Sequence, residues 1–525
     1  MKKNKLANII MLVLCTGIAS QSAHAKDEFD LVDEDQYNRA AAPRLGEIDT
    51  VELFTGHITP EAPIEGMWTK TFTWNLYAIH AAILPNYKII TYGPITERSG
   101  RALNYDIWNI KTCKGKLLEV QTATNLFCSA QNLLANGKLL ITGGDERPNG
   151  PGGSGIRDSA IYDPASDKMS SGGQMSQDRW YPSLTTMTDG RMLVHGGRIS
   201  KTEAATTPEI YNPSTNTFTQ LTGAKSDEVY NIANKGWYYP RTFINASGKA
   251  VFFKGNNDGL YELNVNANNK TGSLTKKAST SGGDFRFYYP AVQLEPGKVL
   301  AFKDKKKVQI IDTNKFTVEN VSSIPNTRIW SDATLLADGK VVVTGGATKR
   351  QVEETAVLAV DIFDPKSKTW SVGASATNSR LYHSTAVLMP NAAVLVAGGG
   401  PPGPIKHKNA EVYYPPYLFN SDGEWATRPV INDAPLVITH KKKVKVQYSH
   451  NRKITRVTMI KLGSNTHSYD MGQLFKEVEF RVSGTTISIL SGSRRKDEMT
   501  PGYYMIFLID DLGVPSEARI TNLIL

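Results

Sequence analysis

The chain is short of the features that define several common protein classes. Only three of its 525 residues are cysteine (Cys15, Cys113 and Cys128), which leaves at most one disulfide once a leader is removed. Outside the first 25 residues no apolar run is long enough to cross a bilayer, so no membrane span is expected. No glycine motif stands at a strand-to-helix junction, so a nucleotide cofactor held by that device is not expected, nor is a nucleic-acid partner. There are nine histidines, few enough to weigh one by one.

Residues 1–25 have the layout of a signal peptide. Lys2, Lys3 and Lys5 lead, an apolar stretch runs from Leu6 to Ala19, and Ala23-His24-Ala25 offers a cleavage site. A membrane anchor is the weaker reading because the run is short, and Leu14 before Cys15 fits a lipidation signal poorly. The expected mature protein is soluble, monomeric and secreted or periplasmic. The net charge is +10, or +7 once the three leader lysines are gone. Such a charge suits an acidic or cell-surface polysaccharide, although ordinary solubilising charge is the plainer reading.

What the chain has in quantity is one repeated pattern. Apolar strands break at a polar turn ending in Gly and a basic residue and then resume, as in LLANGKLLITGG (133–144), MTDGRMLVHGG (187–197), NASGKAVFF (245–253), LEPGKVLAF (294–302) and LLADGKVVVTGG (335–346). Two degenerate copies, ILPNYKIITYG (83–93) and LMPNAAVLVAGGG (388–400), put Tyr87 and Ala392 in place of the turn glycine. Nine residues before each turn position stand Ala78, Cys128, Tyr181, Tyr239, Tyr288, Trp330 and His383, at intervals of 42 to 58 residues. That period is close to the roughly 50 residues of a kelch blade.

Segments such as AIYDPASDKM (160–169) and DIFDPKSKTW (361–370) add a third strand, a turn and a fourth strand. The expected fold is therefore all-β: a seven-bladed kelch-type β-propeller over 66–424, after an N-terminal extension at 26–65. The last repeat lacks an obvious fourth strand, and GMWTKTF (66–72) is expected to supply it and close the ring. From 425 to 525 short alternating strands, including KVKVQYS (443–449) and YYMIFLID (503–510), fit an immunoglobulin-like β-sandwich.

In a propeller the first residues of the inner strands gather at one mouth of the central channel. Cys128 and Tyr181 come from adjacent blades, Tyr382 and His383 from the last. A lone channel His or Tyr is usually packing. Together they offer imidazole and phenolate donors which, with one more imidazole, suit Cu(II) in a tetragonal site. A Cys113–Cys128 disulfide is the default for an exported protein, but the repeat puts Cys128 at the start of an inner strand and Cys113 in the outer part of the preceding blade. His195, His440 and His450 read as structural or surface residues, and His80 as a possible channel-lining residue.

The motifs NLFCSAQ around Cys128, DRWYPS around Tyr181, SRLYHS around Tyr382 and His383, and SNTHSYD around His467 resemble those of the galactose oxidase and glyoxal oxidase family of copper radical oxidases. The likeness covers roughly 66–525. Trp180 before Tyr181 is similar to the Arg-Trp-Tyr of the glyoxal oxidase branch. The tryptophan that galactose oxidase carries after the Gly-Gly of this blade is missing from GGRISKTE (196–203), and there is no room for its N-terminal sandwich.

The resemblance implies one copper ion held by Tyr181, Tyr382, His383 and His467. It also implies a Tyr181–Cys128 thioether as radical cofactor and Tyr382 as proton acceptor. Two-electron oxidation of an alcohol or aldehyde needs this second redox centre, because Cu(II)/Cu(I) stores one electron. The implied reaction oxidises a small aldehyde, primary alcohol or sugar and reduces dioxygen to hydrogen peroxide. Tyr239, Tyr288 and Trp330 are the candidates to shield the radical. The alternative is a binding propeller for cell-wall glycan. A hydrolytic propeller is disfavoured because Asp-box turns are missing.

Overall fold

The computed structural model describes residues 58–525 except 98–100, 123, 148–151, 254–258, 281–287, 401–404 and 491–498. The expected signal peptide and most of the N-terminal extension lie outside the described residues.

The chain folds as successive four-stranded antiparallel meanders. The first comprises His80–Ile83, Lys88–Gly93, Asn104–Asn109 and Lys114–Glu119. Those that follow open with Ala130–Leu133, Trp180–Thr186, Arg241–Ile244, Ala291–Glu295 and Ile329–Leu335. The last is built from Ser384–Leu388, Val394–Gly398 and Asn409–Tyr414, and its outer side comes from the far end of the chain. Met67–Trp68 and Phe72–Thr73 both pair antiparallel with Asn409–Tyr414. First strands of neighbouring meanders pack together, and Ser384–Leu388 lies against His80–Ile83, so the series returns on itself.

Burial runs from inside to outside within each meander. Opening strands such as Trp180–Thr186 are buried throughout, whereas the outer Lys114–Glu119 is mostly exposed. Three meanders are pinned by a buried guanidinium. Arg179 pairs with Glu209 at 2.9 Å, Arg380 with Glu411 at 3.1 Å, and Arg328 with Asp361. Each also donates to the carbonyl of the first glycine of a Gly-Gly pair: Gly196, Gly398 and Gly345 respectively. Removing one member of such a pair strands a buried charge, at a cost of about 3–5 kcal/mol.

The repeat turns have a second function, docking the C-terminal module. Val430–Asp433, Lys443–Ser449, Thr486–Leu490 and Phe480–Ser483 form one sheet of that module. The other holds Val437–Thr439, Arg519–Ile524, Gly502–Asp510, Ile454–Lys461 and Phe475–Glu477. Val446, Ile487, Met459 and Ile506 are among the buried residues between them. Arg456 donates to Asp338 O, Asn522 to Ala135 O, and the Ala518 amide to Pro390 O.

This docking explains the degenerate turns. Tyr87 and Ala392 both have left-handed φ, +60° and +68°, as the glycines they replace would. The Tyr87 hydroxyl accepts the Ile520 amide at 3.1 Å, a contact that glycine could not make. At Gly339, φ +85°, the reverse holds: a Cβ would stand 2.6 Å from the Phe475 ring of the C-terminal module. Gly339→Ala is therefore expected to destabilise the fold by about 2–4 kcal/mol, from a left-handed alanine plus overpacking. The urea midpoint would show it, and an unchanged midpoint would refute the docking argument.

Lys461, at the end of Ile454–Lys461, is buried, and its amine donates to Thr500 Oγ1 at 2.9 Å. Burial pulls its pKa down to about 7. The unfolded lysine holds its proton up to about pH 10.4, so unfolding takes up protons between these values and stability rises with pH across that window. Lys461→Met is expected to be more stable than the parent at pH 7 and to flatten this rise. Parallel slopes from pH 7 to 10 in the two proteins would overturn the assignment.

Candidate metal centre

Five of the seven positions marked by the repeat adopt left-handed backbone: Cys128 (φ +57°), Tyr181 (+64°), Tyr239 (+37°), Trp330 (+61°) and His383 (+70°). Such conformations cost on the order of 1 kcal/mol or more for a side chain with a Cβ, and they concentrate at functional sites. Ala78 does not share the geometry. The kinked residues are tied across meanders by backbone bonds. The Tyr181 amide donates to Cys128 O at 3.0 Å, the Tyr239 amide to Tyr181 O at 3.0 Å, and the Trp330 amide to Tyr288 O at 3.1 Å. The kinks fall at or just before the start of the opening strands.

His467 reaches the same place from the C-terminal module. Ser464–Thr466 and Tyr469–Asp470 form a hairpin with His467 and Ser468 as its two-residue tip. Both tip residues have positive φ, +51° and +61°, as the favoured two-residue hairpin turns require. The hairpin wedges between meanders, pairing antiparallel with His80–Ile83 on one side and parallel with Ala291 on the other. Arg241 holds its tip: the guanidinium donates to His467 O and Tyr239 O, both at 3.0 Å, and lies 4.8 Å from the centre of the Tyr469 ring.

The donor atoms converge. Cys128 Sγ lies 3.4 Å from His467 Nε2 and 3.7 Å from His383 Nε2. The Tyr181 and Tyr382 hydroxyls are 2.9 Å apart. Cys128, His383 and His467 form the one group of three metal-capable side chains among the described residues, with ligand atoms within 4.8 Å of one another. Cys128 and Cys113 are not disulfide-bonded.

Hydrogen bonding selects the His467 tautomer. Thr466 Oγ1 donates to Ile79 O at 3.0 Å, so it must accept from His467 Nδ1–H at 2.6 Å. That leaves the Nε2 lone pair facing the pocket, the arrangement that metal-binding imidazoles adopt.

Burial sets the charge state. It pushes the Tyr181 and Tyr382 phenols and the Cys128 thiol up, and holds His467 well below the usual imidazole range. Two imidazoles, two phenols and a thiol gathered out of water form a donor set that a divalent cation fits, because its charge reverses the local preference and favours phenolate.

Other residues around the pocket are not marked by the repeat. Tyr238 stacks on Tyr181 with ring centres 4.3 Å apart and planes 19° apart, and its hydroxyl lies 3.3 Å from that of Tyr382. Trp180 lies 4.4 Å from Tyr181. Of the three expected shields, Trp330 packs on Tyr382 at 4.4 Å and Tyr239 meets Tyr181 edge-on, while Tyr288 contacts Trp330. The face-on position belongs to Tyr238, one residue before the kink. The doublet in WYYP (237–240) was the available signal.

His80 is buried, stacks on Tyr92 and makes an edge contact with His467 at 5.8 Å. His195 bonds Tyr230 and Thr242 away from the pocket, and His450 meets Asp510 at 3.0 Å.

The glyoxal oxidase N-terminus family profile matches residues 101–292 and 282–418, and the galactose oxidase-like Early set profile matches 428–523. This chain belongs to the galactose oxidase and glyoxal oxidase family. Galactose oxidase of Gibberella zeae is 28% identical over 428 residues, which cover 76% of this chain and 60% of that protein. The chain thus spans about 60% of the length of the galactose oxidases it matches. Aldehyde oxidase GLOX of Vitis pseudoreticulata is 25% identical over 466 residues, 78% of this chain and 84% of the relative. The solved structure of a fungal alcohol oxidase of the AA5 family, in complex with copper, superposes with a TM-score of 0.78 at 21% identity. It covers 88% of this chain and all of that one, and shows that the two share a fold.

Proposed function

We propose that this chain is a copper-dependent oxidase of small aldehydes or primary alcohols, with dioxygen as electron acceptor and hydrogen peroxide as product. The observation that carries the reading is the convergence of Cys128, Tyr181, Tyr382, His383 and His467, from distant parts of the chain, on one buried pocket. Relatives named galactose oxidase and aldehyde oxidase, and the copper-bound alcohol oxidase that shares the fold, support it. In this reading 66–424 is a seven-bladed kelch propeller and 425–525 an immunoglobulin-like sandwich. The protein acts in the periplasm or outside the cell after removal of residues 1–25.

Tyr181, Tyr382, His383 and His467 would hold one copper ion. When bound, copper supplies one-electron exchange and Lewis acidity toward a substrate oxygen. Joining Cys128 Sγ to the Tyr181 ring removes one hydrogen from sulfur and one from carbon, and dioxygen takes the two electrons and two protons as hydrogen peroxide. The sulfur substituent makes the phenol easier to oxidise, so Tyr181 is the second one-electron centre. The Tyr382 oxygen, bonded to those of Tyr181 and Tyr238, accepts the substrate proton. The Tyr238 ring shields the face of Tyr181 from water.

The test is copper loading of the mature protein under oxygen, followed by intact mass and a peroxide assay over small aldehydes, alcohols and sugars. One copper per chain, a two-hydrogen mass loss and peroxide from a small aldehyde or primary alcohol are expected. Stoichiometric copper with neither mass loss nor peroxide would sink the reading.

A further inference from the structure

The donor atoms are sealed from water, and beside the aromatic rings around them lies a cation with no acid in ion-pair range among the described residues. Cys128, His383 and His467 are at most 1% exposed, whereas Trp180, Tyr181, Trp237, Tyr238 and Tyr382 keep 5–9%. Solvent therefore touches these rings but not the three donors. Arg198, the last residue of Met192–Arg198, lies against two of them. Its guanidinium carbon lies 4.3 Å from the centre of the Trp180 ring and 5.1 Å from that of Trp237. Trp180 in turn packs on Tyr181.

No carboxylate among the described residues pairs with it. The nearest acid that bears on it is Asp145, which is already taken by Arg147 through two bonds of 2.8 Å. Arg198 Nε is buried and unbonded. Lys201 adds a second cation beside it: a Cβ at Gly153 would stand 3.0 Å from Arg198 Nη2 and 3.3 Å from Lys201 Cε. The charge of exposed Arg350 acts on Tyr382. A guanidinium fixed between two indoles is pre-organised, weakly hydrated and able to grip a planar anion through two N–H groups.

We propose that Arg198 is a specificity residue that binds a carboxylate on the substrate, so that the preferred substrates are small aldehydes or primary alcohols bearing an acid group. Identification of the reaction rests on the oxidase reading above; the charge preference rests on the geometry of Arg198 alone. The reaction that supplies such a substrate must then deliver an oxo- or hydroxy-acid rather than a neutral sugar.

The experiment compares glyoxylate with glycolaldehyde, an acidic and a neutral aldehyde of the same carbon number, on the copper-loaded protein and its Arg198→Gln and Arg198→Lys variants. Arg198→Gln is expected to lose about 10–100-fold in kcat/KM for glyoxylate, mostly through KM, the size of a charged hydrogen-bonded contact. It should change less than about threefold for glycolaldehyde, a difference well below one such contact. Arg198→Lys should recover part of the loss, and thermal melts check that all three proteins are folded.

Equal changes for both aldehydes would overturn the proposal while leaving the oxidase standing. If nothing is oxidised at all, malonate binding to the metal-free protein by calorimetry decides. Binding weakened at least tenfold in Arg198→Gln upholds the anion subsite, and binding that is absent or indifferent to the variant overturns it.

Discussion

Replacing His467 with alanine is expected to reduce copper retention from one ion per chain to a small fraction of that after dialysis against a weak chelator, and to abolish peroxide formation. The pocket offers two imidazoles, and the Nε2 of His467 is left unprotonated by the Thr466 hydrogen bond. Without it two phenols and a single imidazole remain, too few nitrogen donors for a tetragonal cupric site. Affinity should fall by more than the 10–100-fold typical of losing an outer hydrogen-bond partner.

Thr466→Val supplies the graded control. It keeps the imidazole but removes the acceptor for Nδ1–H, and a loss of about 10–100-fold is expected. Metal titration followed by atomic absorption or by the ligand-to-metal optical band measures both. If the alanine variant retains copper as tightly as the parent, His467 is not a ligand and the tautomer argument fails with it.

The second large effect is expected at Cys128. Cys128→Ser should show no two-hydrogen mass deficit after aerobic copper loading, and turnover should drop by about 1,000-fold, roughly 4 kcal/mol of barrier. A serine hydroxyl fits the buried space of the thiol but cannot form the sulfur bridge. The backbone reason for expecting a folded variant is specific: the Tyr181 amide bonds the carbonyl of residue 128, not its side chain. Copper affinity should change far less than in the His467 variant, because sulfur is outside the proposed ligand set. A persistent mass deficit, or unchanged turnover, would remove the crosslink from the mechanism.

The two variants also separate the functional readings. A glycan-binding propeller would tolerate both substitutions in its binding assay. An oxidase would lose activity in both, through metal loss in one and through the missing second redox centre in the other.

Much of this arrangement was legible before any coordinates. The turn spacing located Cys128, Tyr181, Tyr239, Trp330 and His383, and these share the left-handed kink. The same count also marked Ala78, which lacks it, because spacing reports the turn and not the dihedral of the residue nine positions earlier. The outer strand of the last meander was readable because Asn409–Tyr414 had no following partner in sequence and GMWTKTF had no preceding one.

The residues around the donor set were harder to read. Tyr238 sits one residue off the counted position, yet it stacks on Tyr181, beside the left-handed Tyr239. Arg198 looks like an ordinary basic residue after a glycine pair, and only its neighbours Trp180 and Trp237 distinguish it. Nor did the turns announce that they bind the C-terminal module, although Tyr87 in place of glycine was a hint whose meaning depended on Ile520 lying opposite.

By itself the order of residues determined the strand period, the turns, the two-module layout and the list of side chains able to bind a metal, because these follow from local backbone preference and alternation of apolar groups. Only the folded chain decided which of them meet. His467 lies 339 residues from Cys128 in sequence and 3.4 Å from it in space. Contact over that separation depends on closing a ring of sheets and threading a hairpin between two of them, and no local propensity encodes it.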